Sequence, residues 1–250
     1  MNRREWDKRA KNYHEEIISP FQTGVKNPLF KKLKGVRCKR RKVIADIGCG
    51  RGEILDLLAA DFKKVYAIDF SPEMLRIAER RNTRKNIEFV LEDMKNLDRF
   101  EGMFDVVITA NSVLFPDIRS IKRSLASINC TMKSGGALFG IFPSMGSILY
   151  QGFLIMDEQV RKLNDEERAM TRTKRVLERR KYNFVKGVYD DDGCKQKFYY
   201  NFELKARLKN AGFRNVKLSK VLYPWKEGIS DYQMFKGRPK MWDWFVAARK

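Results

Sequence analysis

The stretch "VIADIGCGRGEIL", Val43 to Leu55, constrains the fold more than any other part of the chain. An apolar run ends in an acid, three glycines follow at alternate positions, and a helical pattern begins. Glycines in a strand-to-helix turn let a ligand approach the backbone, and the helix start offers unpaired N–H donors. The spacing separates the ligand classes. A Walker A loop needs Lys-Ser/Thr after its last glycine, and none follows Gly52. The dinucleotide pattern G-x-G-x-x-G fits Gly48 and Gly50 but fails at Glu53. What the chain spells is Asp-x-Gly-x-Gly-x-Gly, on Asp46, Gly48, Gly50 and Gly52.

From Val43 onward strand and helix patterns alternate. Strand-like runs are "KVIADIG", "KVYAIDF", "IEFVLED", "FDVVITAN" and "GALFGIFPS", with helical segments over about 52–61, 72–82 and 118–132 between them. Ser71 followed by Pro72 marks a helix start, and "KSGG" at 133–136 is expected to form the turn ahead of the fifth strand. Such alternation predicts a doubly wound, mostly parallel α/β sheet with helices on both faces. It breaks after Ser144. Residues 145–198 read as an insertion of one or two helices followed by a loop or hairpin, before a last helix ("NFELKARLKNAGF") and two strands ("NVKLSKVLY", "WDWFVAARK"). Upstream, residues 4–18 carry Trp6, Ala10, Tyr13 and Ile17 at helical spacing. The expected organisation is a basic helical cap over 1–42 and one domain over 43–250, with 145–198 inserted on one side.

At 250 residues and 43% hydrophobic content the chain can bury a substantial core, yet it has no apolar run of membrane-spanning length. Its N-terminal stretch lacks the apolar segment of a secretory signal. Cys38, Cys49, Cys130 and Cys194 are far apart and form no C-x-x-C pair, so neither a disulfide framework nor a zinc site is expected, and a reducing cytoplasm suits them. His14 is the sole histidine, which excludes histidine-rich metal sites and leaves at most one imidazole for acid–base work. The formal charge of +21 is uneven. Residues 1–42 hold 14 Lys/Arg against 4 Asp/Glu, residues 43–143 hold 14 of each, and 144–250 hold 24 against 13. The densest runs, 31–42 and 172–181, suit either solvated faces or contact with a polyanion.

Four motifs in order give the chain a resemblance to the class I S-adenosylmethionine-dependent methyltransferases. After the glycine motif, the second strand ends "VYAIDFS" with Asp69, the third ends "VLEDMKNL" with Asp93 and Met94, and "LKNAGFRNV" with "WDWFVAARK" is similar to the family's last helix and its antiparallel seventh strand. The resemblance implies a seven-stranded sheet, S-adenosyl-L-methionine as cofactor and S-adenosyl-L-homocysteine as product. Position by position, it places Asp46, Gly48, Gly50 and Gly52 around the methionine portion, Asp69 at the ribose hydroxyls, and Asp93 with Met94 at the adenine. No metal is implied. By the same resemblance the fourth strand, leading into "ANSVLFPD", is expected to border the transferred methyl, where Asn111 and Ser112 could hydrogen-bond the acceptor or the cofactor, or simply cap the strand end. Asn111 and His14 are the candidates for a catalytic role.

The acceptor is less constrained. The Asn/Asp-Pro-Pro-Tyr/Phe motif of enzymes that methylate amino groups of nucleic acid is missing, since Asn111 is not followed by proline, and no Pro-Cys occurs. This favours a small organic acceptor. The aromatic residues of the insertion suit an apolar pocket or plain packing. The basic runs keep RNA or a protein acceptor open, and a non-catalytic cofactor-binding subunit is a third possibility.

Overall fold

A computed structural model describes residues 6–7, 18–179, 181–191, 194–225 and 233–250. His14 and most of the expected N-terminal helix lie outside the described residues; Trp6 and Asp7 are helical. Helix α1 (Pro28–Lys34) precedes an alternating series: β1 (Val43–Ile47), α2 (Leu55–Asp61), β2 (Lys64–Asp69), α3 (Pro72–Arg81), β3 (Ile87–Leu91), β4 (Phe104–Ala110), α4 (Ile118–Thr131) and β5 (Met132–Phe142). Two helices, α5 (Met145–Leu163) and α6 (Glu166–Arg179), and three short strands, β6 (Tyr182–Asn183), β7 (Val188–Asp191) and β8 (Cys194–Lys197), follow. The chain returns through α7 (Asn201–Asn210), β9 (Arg214–Tyr223) and β10 (Met241–Arg249).

Seven strands form one sheet in the order β3-β2-β1-β4-β5-β10-β9. Strands β1 to β5 are parallel, and β10 enters antiparallel between β5 and β9. The order reverses between β1 and β4, and open α/β sheets bind ligands at the carboxyl ends of the strands beside such a reversal. β1 and β2 are buried along nearly their whole length because helices cover both faces, so their sequences are runs of apolar residues rather than alternations. One face packs Leu29, Leu33, Leu55, Leu58, Ile108 and Phe245; the other packs Ile47, Leu125, Ile128, Phe104, Phe142 and Val246. The start of α3 is local chemistry: Ser71 Oγ accepts from the Met74 N–H at 3.2 Å, and Pro72 sits where a missing N–H costs nothing.

Two expectations change in detail. The "KSGG" run is not a separate turn: β5 begins at Met132, directly after α4. The extra residues are absorbed as an irregularity against β4, whose Phe104 faces Met132 while Val106 already faces Ala137. Gly135, at φ +74°, supplies the kink. The insertion forms two helices, and where a loop or hairpin is expected it forms a sheet of three short strands. Asn164, left-handed at φ 48°, ends α5. α5 lies against β10, and α6 turns Ala169 and Thr173 inward while Arg172, Lys174 and Arg175 stay exposed.

The insertion is anchored by Tyr199. Its ring is fully buried edge-on to Phe142 at 5.4 Å, and its hydroxyl donates to the Val113 carbonyl at 2.7 Å. The Lys197 N–H donates to the Leu114 carbonyl at 2.9 Å. The inserted sheet thus holds the loop after β4 from behind. Tyr199→Phe keeps the ring and removes the donor to a buried carbonyl, so it is expected to cost about 1–2 kcal/mol of unfolding free energy. Urea denaturation measures this; an unchanged midpoint would mean that the hydroxyl carries no weight.

Candidate active site

The glycine loop is bent by three left-handed residues, Gly48 at φ +75°, Gly50 at +52° and Gly52 at +72°. Gly48 is also pressed against the next loop: a Cβ there would lie 2.3 Å from Ser112 Cβ, so only glycine fits. The Gly48 and Cys49 N–H groups donate to the Ile68 carbonyl at 2.7 and 3.1 Å, tying the loop to the end of β2. Asp69 completes the tie. One carboxylate oxygen accepts from the Gly50 N–H and the other from the Ser71 N–H, both at 2.9 Å. Burial pushes the Asp69 carboxyl up to about 6, against the opposing pull of the Ser71, Gly50 and Phe70 backbone donors.

A pocket at the carboxyl ends of the central strands encloses about 740 Å³, part of it open to solvent, within the range of small-ligand sites. Gly48, Gly50, Asp69, Asp93, Met94, Asn111 and Ser112 all line it, so seven of the sequence candidates meet in one place. Trp6, Phe70, Met74, Leu114 and Phe115 complete the apolar walls. Asp93 accepts from the Lys95 N–H at 2.9 Å and pairs with its ammonium at 3.3 Å, leaving the carboxylate at the rim. Ser71 Oγ donates to Asp7 at 2.5 Å, which holds Asp7 beside the mouth.

A smaller hollow of about 420 Å³ adjoins it, lined by Pro20, Phe21, Asp46, Arg51, Glu53 and Asn111 together with the shared glycines. Ser19 Oγ donates to Glu53 at 2.6 Å, drawing the N-terminal segment onto the loop. Burial pushes Asp46 up to about 7, with Asp69 and Glu53 adding repulsion. Two buried polar atoms of residues lining this hollow have no partner among the described residues, the acceptor Asn111 Oδ1 and the donor Arg51 Nε. Unpaired buried groups are costly and mark where a ligand completes the bonding. An acceptor beside carboxylates together with a guanidinium donor matches a zwitterionic amino-acid end.

Gly52 stands apart from the other candidates. It lines neither space, and a Cβ on it would meet Asn82 Nδ2 at 2.7 Å and Ala78 at 3.1 Å, so its role is to let α3 pack against the loop. The insertion's aromatic residues do not reach the pocket either. Tyr182, Phe184, Tyr189 and Phe198 stack on one another, and Tyr150 leans on Trp242 and donates to the Pro239 carbonyl. Residues the sequence reading passed over include Trp6, Arg51, Phe115, Tyr223 and Asp243. Only Asp243 had a legible signal, a lone acid between tryptophans in an apolar strand. Among the described residues no group of three or more His, Cys, Asp or Glu could hold a metal ion, and no helix is long and apolar enough to cross a membrane.

Residues 44–136 match the family model described as "Methyltransferase domain". The chain is 28% identical over 181 residues to the probable S-adenosylmethionine-dependent methyltransferase CRG1 of Saccharomyces cerevisiae, covering 66% of this chain and 59% of that protein. It is 30% identical over 110 residues to the malonyl-[acyl-carrier protein] O-methyltransferase of Bacillus cereus, 43% of this chain and 39% of the relative. The central part of the chain, 44–136, is thus similar to a methyltransferase domain. The chain spans about two to three fifths of the length of these two relatives. Among solved structures, the putative methyltransferase of Haloferax volcanii in complex with the Trm112 activator superposes with a TM-score of 0.66 at 12% identity, over 98% of this chain and 97% of the other, a likeness of fold. S-adenosylmethionine is named as the cofactor of the first of these relatives, and the pocket, with the two unpaired atoms of the adjoining hollow, fits that molecule's parts.

The buried acids give a stability signature. Asp46 ionises near 3.8 in free chain and at about 7 when folded, so between these values the folded state keeps a proton that the unfolded state has lost. Its contribution is fully present below pH 3.8 and is lost as pH rises through about 7. The melting temperature of the ligand-free protein is therefore expected to fall less steeply across this window in Asp46→Asn than in the wild type. Parallel melting curves would show that Asp46 is not the group responsible.

Proposed function

We propose that the protein is an S-adenosyl-L-methionine-dependent methyltransferase whose acceptor is a small organic molecule. The observation that carries the reading is the enclosed pocket in which Asp69, Asp93 and Asn111 converge, with Trp6 in its wall and Asp7 tied to Ser71 beside its mouth. Trp6 in the wall and Asp7 at the mouth narrow the opening, which suits a compact acceptor better than a polymer. The missing proline motif after Asn111 points the same way, and one relative is named for O-methylation of a malonyl group on its carrier protein.

In this reading Asp69, with lone pairs left on both carboxylate oxygens, accepts from the ribose hydroxyls, and Asp93 accepts from the adenine amino group over Met94. Arg51 Nε donates to the cofactor's carboxylate, while Asn111 Oδ1 and Asp46 receive its ammonium. When bound, the cofactor supplies a methyl group already activated on a sulfonium. What the chain contributes is placement. The rigid glycine loop and the apolar walls hold the reacting groups in line and exclude water, which accounts for most of what such a transfer requires. Asp69→Ala is expected to weaken binding of S-adenosyl-L-homocysteine more than about tenfold, the loss of charge-assisted hydrogen bonds. Unchanged affinity by calorimetry would overturn the site. Incubation with methyl-labelled cofactor and a fractionated small-molecule extract is expected to label that fraction; label only in RNA or protein would overturn the acceptor class.

A second reading, RNA as acceptor, is favoured by one observation. A groove of about 1750 Å³ at the amino ends of the strands is rimmed by Lys31, Lys32, Arg37, Lys42, Lys217 and Arg249, with Asp105 as its acid. Asp105 is already engaged, by the Val43 N–H and the Lys133 ammonium, both at 2.9 Å. A phosphate backbone seated there would release counterions. If RNA binds in this groove, affinity falls by several powers of the salt concentration, and the double variant Lys31→Glu/Arg37→Glu lowers the slope by about two. No binding at low salt would remove this reading. The groove lies at the opposite end of the sheet from the pocket, which is why the small acceptor is preferred.

A further inference from the structure

Asn111 occupies an unusual position. It is the first residue after β4 and is left-handed at φ 47°, a conformation that asparagine tolerates better than most residues. Its N–H donates to the Ile141 carbonyl at 2.9 Å, which fixes the backbone. Its side chain meets Asp243, on β10. Asn111 Nδ2 donates to Asp243 Oδ2 at 3.1 Å, and the Tyr223 hydroxyl donates to the same oxygen at 2.6 Å. The backbone of Ser144 also hydrogen-bonds the Asp243 carboxylate. Burial pushes this carboxyl up to about 6, while the three hydrogen bonds favour its charged form, so it is mostly ionised at neutral pH.

An ionised carboxylate accepts hydrogen bonds and cannot donate them. The amide of Asn111 can therefore face Asp243 only with its nitrogen. The opposite edge is then necessarily the carbonyl oxygen, and this is the atom left without a partner beside the hollow that holds Asp46 and Arg51. Without the carboxylate, nothing described in the structure selects one orientation of the amide over the other.

We propose that Asp243 is a positioning residue: held by Tyr223, it locks the Asn111 carboxamide with its oxygen toward the pocket, so that the site presents an acceptor to the ammonium of the methyl donor. The proposal rests on the reading that the amino-acid end of the cofactor lies in this hollow. Asp243 itself touches neither cofactor nor acceptor; it acts through Asn111.

The test compares two probes by calorimetry near neutral pH: S-adenosyl-L-homocysteine, which carries the amino-acid end, and 5′-methylthioadenosine, which lacks it. The wild type is expected to bind the first more tightly. Asp243→Ala should weaken S-adenosyl-L-homocysteine about tenfold and leave 5′-methylthioadenosine unchanged. Asp243→Asn preserves shape but offers one acceptor oxygen to three donors, and it should lose part of the same ratio, which keeps the test open should the alanine variant fail to fold. Asn111→Gly accepts the left-handed backbone and should lose the ratio to a similar extent. The double variant with Asp243→Ala should lose no more, because both changes remove one interaction. If the Asp243 variants keep the wild-type ratio, or weaken both probes equally, the carboxylate is only structural and the proposal falls. If the wild type does not distinguish the probes, the reading of the hollow falls, and the proposal with it.

Discussion

The carboxylate of Asp69 is the interaction on which the site is built. One buried acid at the end of β2 bonds the Gly50 N–H with one oxygen and the Ser71 N–H with the other. The first bond fixes the glycine loop after β1, and the second fixes the start of α3. Two neighbouring crossovers are thereby held to a single point at the edge of the sheet's reversal. Burying a carboxylate is unfavourable, and backbone donors offset that cost only if they arrive with the right geometry. The left-handed glycines are what bring Gly50 to that position. The same carboxylate that organises the loop also lines the pocket, so a change at this residue alters the loop and the pocket wall together.

Much of this was legible in the sequence, for a physical reason. Strands β1 to β5 and helices α2 to α4 are specified locally, by apolar runs of strand length, by Ser71-Pro72 and by glycines whose spacing leaves few alternatives. Asp46, Asp69, Asp93 and Asn111 could be found because each lies within a residue or two of a strand's carboxyl end, where topology gathers ligands. What the sequence concealed is non-local. Whether "KSGG" turns or joins a strand depends on register with β4, which no window of the sequence contains. The insertion's aromatic residues look like a pocket in composition, and only their partners reveal that they pack on one another.

Arg51 and Gly52 show the same limit within the motif itself. Both were in view, adjacent and inside the diagnostic stretch. Gly52 fits the pattern of a ligand-contacting glycine, but its missing side chain makes room for Ala78 of α3 and for Asn82, which caps that helix. Arg51 had no pattern to recommend it, yet its Nε is one of two unpaired groups in the hollow. Spacing identifies the turn; the direction in which each residue points depends on positive φ angles at three alternate positions.

The placement of β10 has a consequence for how the site comes into being. This strand follows all the others in the chain but lies inside the sheet, between β5 and β9. Asn111 and Asp243 are separated by 132 residues, and their contact forms only when that late strand inserts. During synthesis, β1 to β5 emerge and can assemble well before it, with the glycine loop in place and the wall beyond Asn111 still missing. The wall beyond Asn111 therefore depends on the contact most distant in sequence, so β10 completes the cleft rather than merely extending a finished sheet.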